Sequence, residues 1–93
     1  MIRKVRVTKW AQKQLDECPL HISAKFNYWV GTVEKLGLES TRQIPGFHDE
    51  PLKGKRLGQR SIRLNRSWRG NYIICDDGSV EFVEVQEIHK HDY

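Results

Sequence analysis

The chain has 93 residues and only two cysteines, Cys18 and Cys75. Two thiols are too few for a disulfide framework, and they show neither Cys-x-x-Cys nor metal-ligand spacing. Both read as reduced, buried residues, which suits a reducing cytoplasm. No run approaches the roughly 20 apolar residues of a membrane helix. The N-terminus, Met1 to Val7, lacks the apolar stretch of a signal peptide and instead alternates, as a strand does. Internal repeats and low-complexity tracts are also absent. A chain of this length is expected to form one domain, spanning 1–93, around a modest core.

Acid is missing from one segment. Between Pro51 and Cys75 stand seven basic residues, Lys53, Lys55, Arg56, Arg60, Arg63, Arg66 and Arg69, with no Asp or Glu among them. The net charge is +4, so the remainder of the chain carries −3. Charge gathered into one block is the footprint of a polyanion binder. The plainer alternative is a solvated face, although such faces normally intersperse both signs.

Hydrophobic periodicity supplies the elements. Residues 2–7 read as a first strand. Thr8 is suited to cap a helix over 9–17, on which Ala11, Leu15 and Cys18 share a face. Ser23 is expected to cap a second helix over 24–36, where Phe26, Trp29, Val30 and Val33 form a core stripe and Gly37 stands at the C-terminal end. Gly31 costs that helix about 1 kcal/mol relative to Ala and suits close packing against a neighbour. Residues 38–58 read as a long loop, punctuated by Pro45-Gly46, Pro51, Gly54 and Gly58. Strands are expected over 59–65, 68–75 and 79–88, the last two joined by Asp77-Gly78 in a type I′ turn. Ile62 and Leu64 then face one way, and Ser61, Arg63 and Asn65 the other. Alternation slips at Phe82-Val83, so the last strand is either buried on both faces or bulged. The expected fold class is α+β: an N-terminal strand and two helices on one face of a mostly antiparallel, four-stranded sheet.

The chain ends Glu87-Ile88-His89-Lys90-His91-Asp92-Tyr93. If the last strand continues, His89, His91 and Tyr93 share one side. Histidines beside an arginine-rich face suit cleavage of RNA by its own ribose 2′-OH. That step needs a base, an acid and cations for the charge on phosphorus. Imidazole serves as acid or base near neutrality, and guanidinium binds phosphate oxygens. The competing reading is a polar tail. His89, His91 and Asp92 make a weak zinc set, and no metal or other cofactor is expected. His48 and Asp49 read as loop hydrogen-bonding groups, and His21 as a surface residue.

Glu50-Pro51-Leu52-Lys53-Gly54, then Gly58-Gln59-Arg60-Ser61-Ile62-Arg63-Leu64, then Trp68-Arg69-Gly70-Asn71-Tyr72, together with the terminal His89 to Tyr93, resemble the RelE/ParE superfamily. This is a superfamily of bacterial toxins from type II toxin–antitoxin modules, and the likeness is to HigB- and YafQ-like mRNA interferases. It covers nearly the whole chain. It implies a RelE-like fold and a ribosome-dependent endoribonuclease, independent of metal, that cuts mRNA in the ribosomal A site and contacts 16S and 23S ribosomal RNA. It also implies a cognate antitoxin as partner.

Position by position, the resemblance implies that Arg63 lies at a basic active-site position of its strand and that Arg69 contacts the scissile phosphate. His89 matches a C-terminal histidine of YafQ-like members. Lys90 or His91 stands at a C-terminal arginine of RelE, and Tyr93 matches the terminal aromatic. Asp92-Tyr93 resembles the end of HigB-type chains. Ser61 stands where RelE has a lysine, and Glu50 where YafQ-like members have a histidine. The general base is therefore open among His91, His89 and Glu50, with Asp92 a further candidate for acid–base work; a C-terminal histidine is expected to handle proton transfer while Arg63 and Arg69 hold the phosphate. Lys53, Lys55, Arg56, Arg60, Arg66 and Lys90 are expected to hold RNA backbone. The alternative function is that of ParE-like relatives, which inhibit DNA gyrase by binding, with no need for the terminal His/Tyr set. A basic nucleic-acid binder without activity is a third reading.

Overall fold

The computed structural model describes residues 1–90. Its elements, in chain order, are β1 (Lys4–Val7), α1 (Lys9–Glu17), α2 (Leu20–Leu36), α3 (Leu38–Arg42), β2 (Glu50–Pro51), β3 (Arg60–Arg63), β4 (Trp68–Asp76) and β5 (Glu81–Lys90). Single 3-10 turns at Pro45–Phe47 and Gly54–Arg56 flank β2. The sheet has five strands in the order β1-β5-β4-β3-β2. All neighbours are antiparallel except β1, which lies parallel to β5. The fold class is the expected α+β, with one more strand than the sequence suggested, because β2 is only two residues long and leaves no periodic trace.

The helices cover one face of the sheet. Thr8 accepts a hydrogen bond from the Ala11 amide at 3.1 Å, so α1 begins where its cap residue implies. The second helix starts earlier than expected. Pro19 supplies its start, with φ already fixed near the helical value. Ser23 lies inside the helix and donates to the Leu20 carbonyl at 3.1 Å. Gly37, at φ +85°, ends α2 and at once begins α3. A Cβ there would come within 2.7 Å of the Met1 side chain. This short helix replaces part of the expected loop, since five residues are too few to display a helical period.

The core runs from α2 into the sheet. Trp29 packs between Phe26 and Tyr72, with ring centroids 5.9 and 5.5 Å away. Ile62, Leu64, Val83, Val85 and Ile88 complete it from the sheet side. Each such side chain contributes roughly 1.5–3 kcal/mol by leaving water. Cys18 is buried and Cys75 half-buried, and both are free. The β4–β5 turn is not type I′, because Gly78 has positive φ but Asp77 does not. The Asp77 carboxylate instead caps the turn, accepting from the amides of Ser79 and Val80, each at 3.0 Å.

The irregularity expected in the last strand has two parts. Phe82 turns away from the helices, and the Arg6 guanidinium covers its ring at 4.4 Å. The bulge comes later. Tyr72 pairs with Val85 and Asn71 with Glu87, leaving Gln86 as the extra residue. A one-residue slip exchanges the two faces of a strand. Val83 and Val85 precede it on the helix side, and Ile88 follows on the same side. Glu87 and His89 are thereby turned to the open face. Gln14 of α1 steadies the strand beyond the slip by accepting from the Ile88 amide at 2.7 Å.

Candidate active site on the open face of the sheet

Strand register lines up the polar side chains of the open face in two rows. Glu50, Ser61, Asn71 and Glu87 are successive partners across β2, β3, β4 and β5, and Arg63, Arg69 and His89 form the neighbouring row. Between them lies a recess of about 260 Å³ lined by Glu50, Leu52, Arg56, Ser61, Arg69, Asn71 and His89. The segment between β2 and β3 forms its rim. Arg56 reaches from there to Glu87, Nη1 to Oε2, at 3.0 Å.

Two of the expected phosphate-binding residues are arranged differently. Arg69 is tied to the turn before its own strand, Nη1 donating to the carbonyls of Asn65 at 2.7 Å and Trp68 at 3.1 Å. That turn is itself closed by the Asn65 side chain, which accepts from the amides of Ser67 and Trp68, each at 2.8 Å. The guanidinium is thus anchored on the backbone of that turn at the edge of the recess. Arg63 shares its row but is exposed at the end of β3 and does not line the recess.

His89 sits opposite Arg69, with its Nε2 3.3 Å from the Oδ1 of Asn71. An amide oxygen only accepts, so the contact is a hydrogen bond in the form of the ring that carries a proton on Nε2. Asn71 is 2% exposed. Sequence reasoning passed over both Asn71 and Glu87. A buried polar residue in the middle of a strand was the available signal for the first. The bulge hid the second by breaking the alternation.

The remaining basic residues divide. Lys53, Lys55 and Arg66 are exposed, the first two on the rim segment and the third in the β3–β4 turn. Arg60, expected to hold RNA, is committed elsewhere. Its Nε donates to Asp49 Oδ1 at 2.6 Å, with the arginine side chain 22% and the aspartate 1% exposed. Lys90 pairs with Trp68 and lies by Gln14 and Glu17 of α1 rather than in the recess. The Tyr72 hydroxyl also donates to Asp49, through Oδ2. Burial pushes that phenol well above its ordinary range, and the Asp49 carboxylate adds to the effect. His48 adopts a left-handed φ of 49° just before this aspartate. His91, Asp92 and Tyr93 lie outside the described residues. Among the described residues no group of three or more His, Cys, Asp or Glu is placed to hold a metal ion, and no helix is long and apolar enough to cross a membrane.

No protein-family model matches the chain, and no curated protein sequence does. Solved structures do match it over nearly its full length. A YoeB/ParE toxin from Agrobacterium tumefaciens is 21% identical with a TM-score of 0.69, over 96% of this chain and 99% of that one. The RelBE2 toxin–antitoxin complex from Mycobacterium tuberculosis is 22% identical at 0.68, over 99% and 100%. YafQ from E. coli strain BL21(DE3) is 15% identical at 0.68, over 95% and 92%. Likeness at these identities concerns the backbone alone, and this chain shares the fold of these solved toxin structures.

Proposed function

We propose that the chain is the toxin of a type II toxin–antitoxin module and that it cleaves mRNA on the ribosome. The observation that carries this reading is the recess on the open face. It gathers a carboxylate (Glu50), an imidazole (His89) and two guanidinium groups (Arg56 and Arg69) around a space that an RNA phosphate can enter. In the reaction, the ribose 2′-OH attacks the adjacent phosphorus and the bond to the 5′-oxygen breaks. Glu50 takes the 2′-OH proton, and His89 supplies one to the departing oxygen. Arg69, with Arg63 at the margin, holds the phosphate and the charge that builds on it.

Lys53, Lys55 and Arg66 hold ribosomal or messenger backbone. His91, Asp92 and Tyr93 join the site through the resemblance of the C-terminus, with Tyr93 stacking on a base. An acidic antitoxin segment is the partner suited to the basic block.

The test is primer extension on a reporter mRNA in a translating extract, with wild type, Arg69→Ala, His89→Ala and Tyr93→Ala in parallel. In-frame cuts that disappear in the variants are expected. Intact mRNA with normal translation, together with gyrase-linked DNA breaks, would replace this reading with the gyrase-binding one.

A further inference from the structure

Glu50 stands on a weak support. Its strand has two residues, the second is a proline with no N–H to give, and both are exposed. Strand pairing alone fixes such a segment poorly. Beyond Pro51, among the described residues, the ladder continues through the Leu52 amide, which donates to the Gln59 carbonyl at 2.9 Å.

The residue before Glu50 is differently placed. Alternation sends Asp49 to the helix side, where its side chain is 1% exposed and Oδ1 receives Arg60 at 2.6 Å. Oδ2 receives the Tyr72 hydroxyl. Both donors come from strands that run under the recess, Arg60 from β3 and Tyr72 from β4, where the two are direct partners. Tyr72 is in turn packed against Trp29 in the core. A buried carboxylate held by two charge-assisted bonds has few alternative positions, because releasing either oxygen would leave it unpaired away from water.

We propose that Asp49, clamped by Arg60 and Tyr72 beneath the sheet, is the positioning residue that sets Glu50 and the rim segment 52–59 above it. The role of Glu50 in this inference rests on the RNA-cleaving reading. The clamp itself does not. Asp49, Arg60 and Tyr72 touch no substrate. They act by fixing the height and direction of the chain as it enters the site, and such placement is worth orders of magnitude in rate.

Tyr72→Phe is the discriminating variant, since it removes one hydroxyl and leaves the ring packed on Trp29. Amide hydrogen exchange is read at Leu52, with Thr8, whose amide is bonded to the Val85 carbonyl, as the control. Exchange at Leu52 should accelerate about tenfold while Thr8 is unchanged. An unchanged Leu52, or one that accelerates only in step with Thr8, overturns the clamp. This readout needs no activity, so it separates failure of the clamp from failure of the proposed function, which a wild-type protein that cuts no mRNA would reveal.

In the cleavage assay Tyr72→Phe should lower kcat by about tenfold with KM within twofold of wild type. Added to Glu50→Ala, it should cost nothing further, as two residues acting through one another require. Full additivity of the two substitutions, or loss in KM alone, overturns the assignment of Glu50 as the group positioned.

Discussion

Asn71 and His89 meet diagonally across β4 and β5, the amide oxygen of one 3.3 Å from the Nε2 of the other. The asparagine is buried and the histidine half-buried, so the ring is oriented from below while its outer edge stays at the recess. Replacing Asn71 with Leu keeps the volume and removes the acceptor. Cleavage is expected to lose about tenfold in kcat. NMR of the ring nitrogens should show both tautomers of His89 where wild type shows one. A single unchanged tautomer with full activity would refute the pairing.

The Arg56–Glu87 ion pair sets a different expectation. Both side chains are partly exposed, 49% and 28%, so the pair is worth under about 1 kcal/mol to the fold. Its cost falls on binding, because an incoming phosphate must draw Arg56 away from a carboxylate. Glu87→Gln should leave the melting temperature within about 2 °C of wild type. It should tighten binding of a short single-stranded RNA several-fold at low salt, with the gain fading as salt rises. Fluorescence anisotropy over a salt series measures this, and equal affinities at every salt would count against Arg56 as an RNA contact.

Gly31 lies in the middle of α2, where a Cβ would meet nothing within 4 Å. Gly31→Ala should therefore stabilise the isolated protein by about 0.5–1 kcal/mol in urea unfolding. A loss of stability would mean that α2 is strained at this point.

Asp77 predicts a pH effect. Bonds from the backbone of Val80 and Ser79, with the Ser79 hydroxyl, lower its carboxyl from 3.8 to about 2. A depressed folded-state value contributes stability above the unfolded value and loses it as pH falls through the folded one. The contribution of the capped turn should thus be complete above about pH 4 and gone near pH 2. In Asp77→Asn the slope of stability over that interval should flatten. An Asp77 titration midpoint near 4 by NMR would contradict the cap.

Much of the scaffold was legible because its signals are local. The cap at Thr8, the stripe from Phe26 to Val33, the stop at Gly37 and the alternation of Ile62 and Leu64 all act within one turn or one strand. The two-residue β2 and five-residue α3 were not legible, because nothing that short repeats. At the site, Arg69 and His89 could be named from residue type and from the resemblance. The commitment of Arg60 to Asp49 could not, since it depends on a partner eleven residues away being buried by the fold. Glu87 was hidden because the slip at Gln86 breaks the rule by which faces are assigned.

The parallel pairing of β1 with β5 has a consequence for biosynthesis. Among the described residues β1 pairs with β5 alone, Lys4 opposite Phe82 and Val7 opposite Val85. A nascent chain therefore holds β1 without this partner until β5 has been made, and contacts between distant parts of a chain form slowly. The strand that completes the sheet also carries His89, so the sheet and the candidate site come into being together, when β5 has been made.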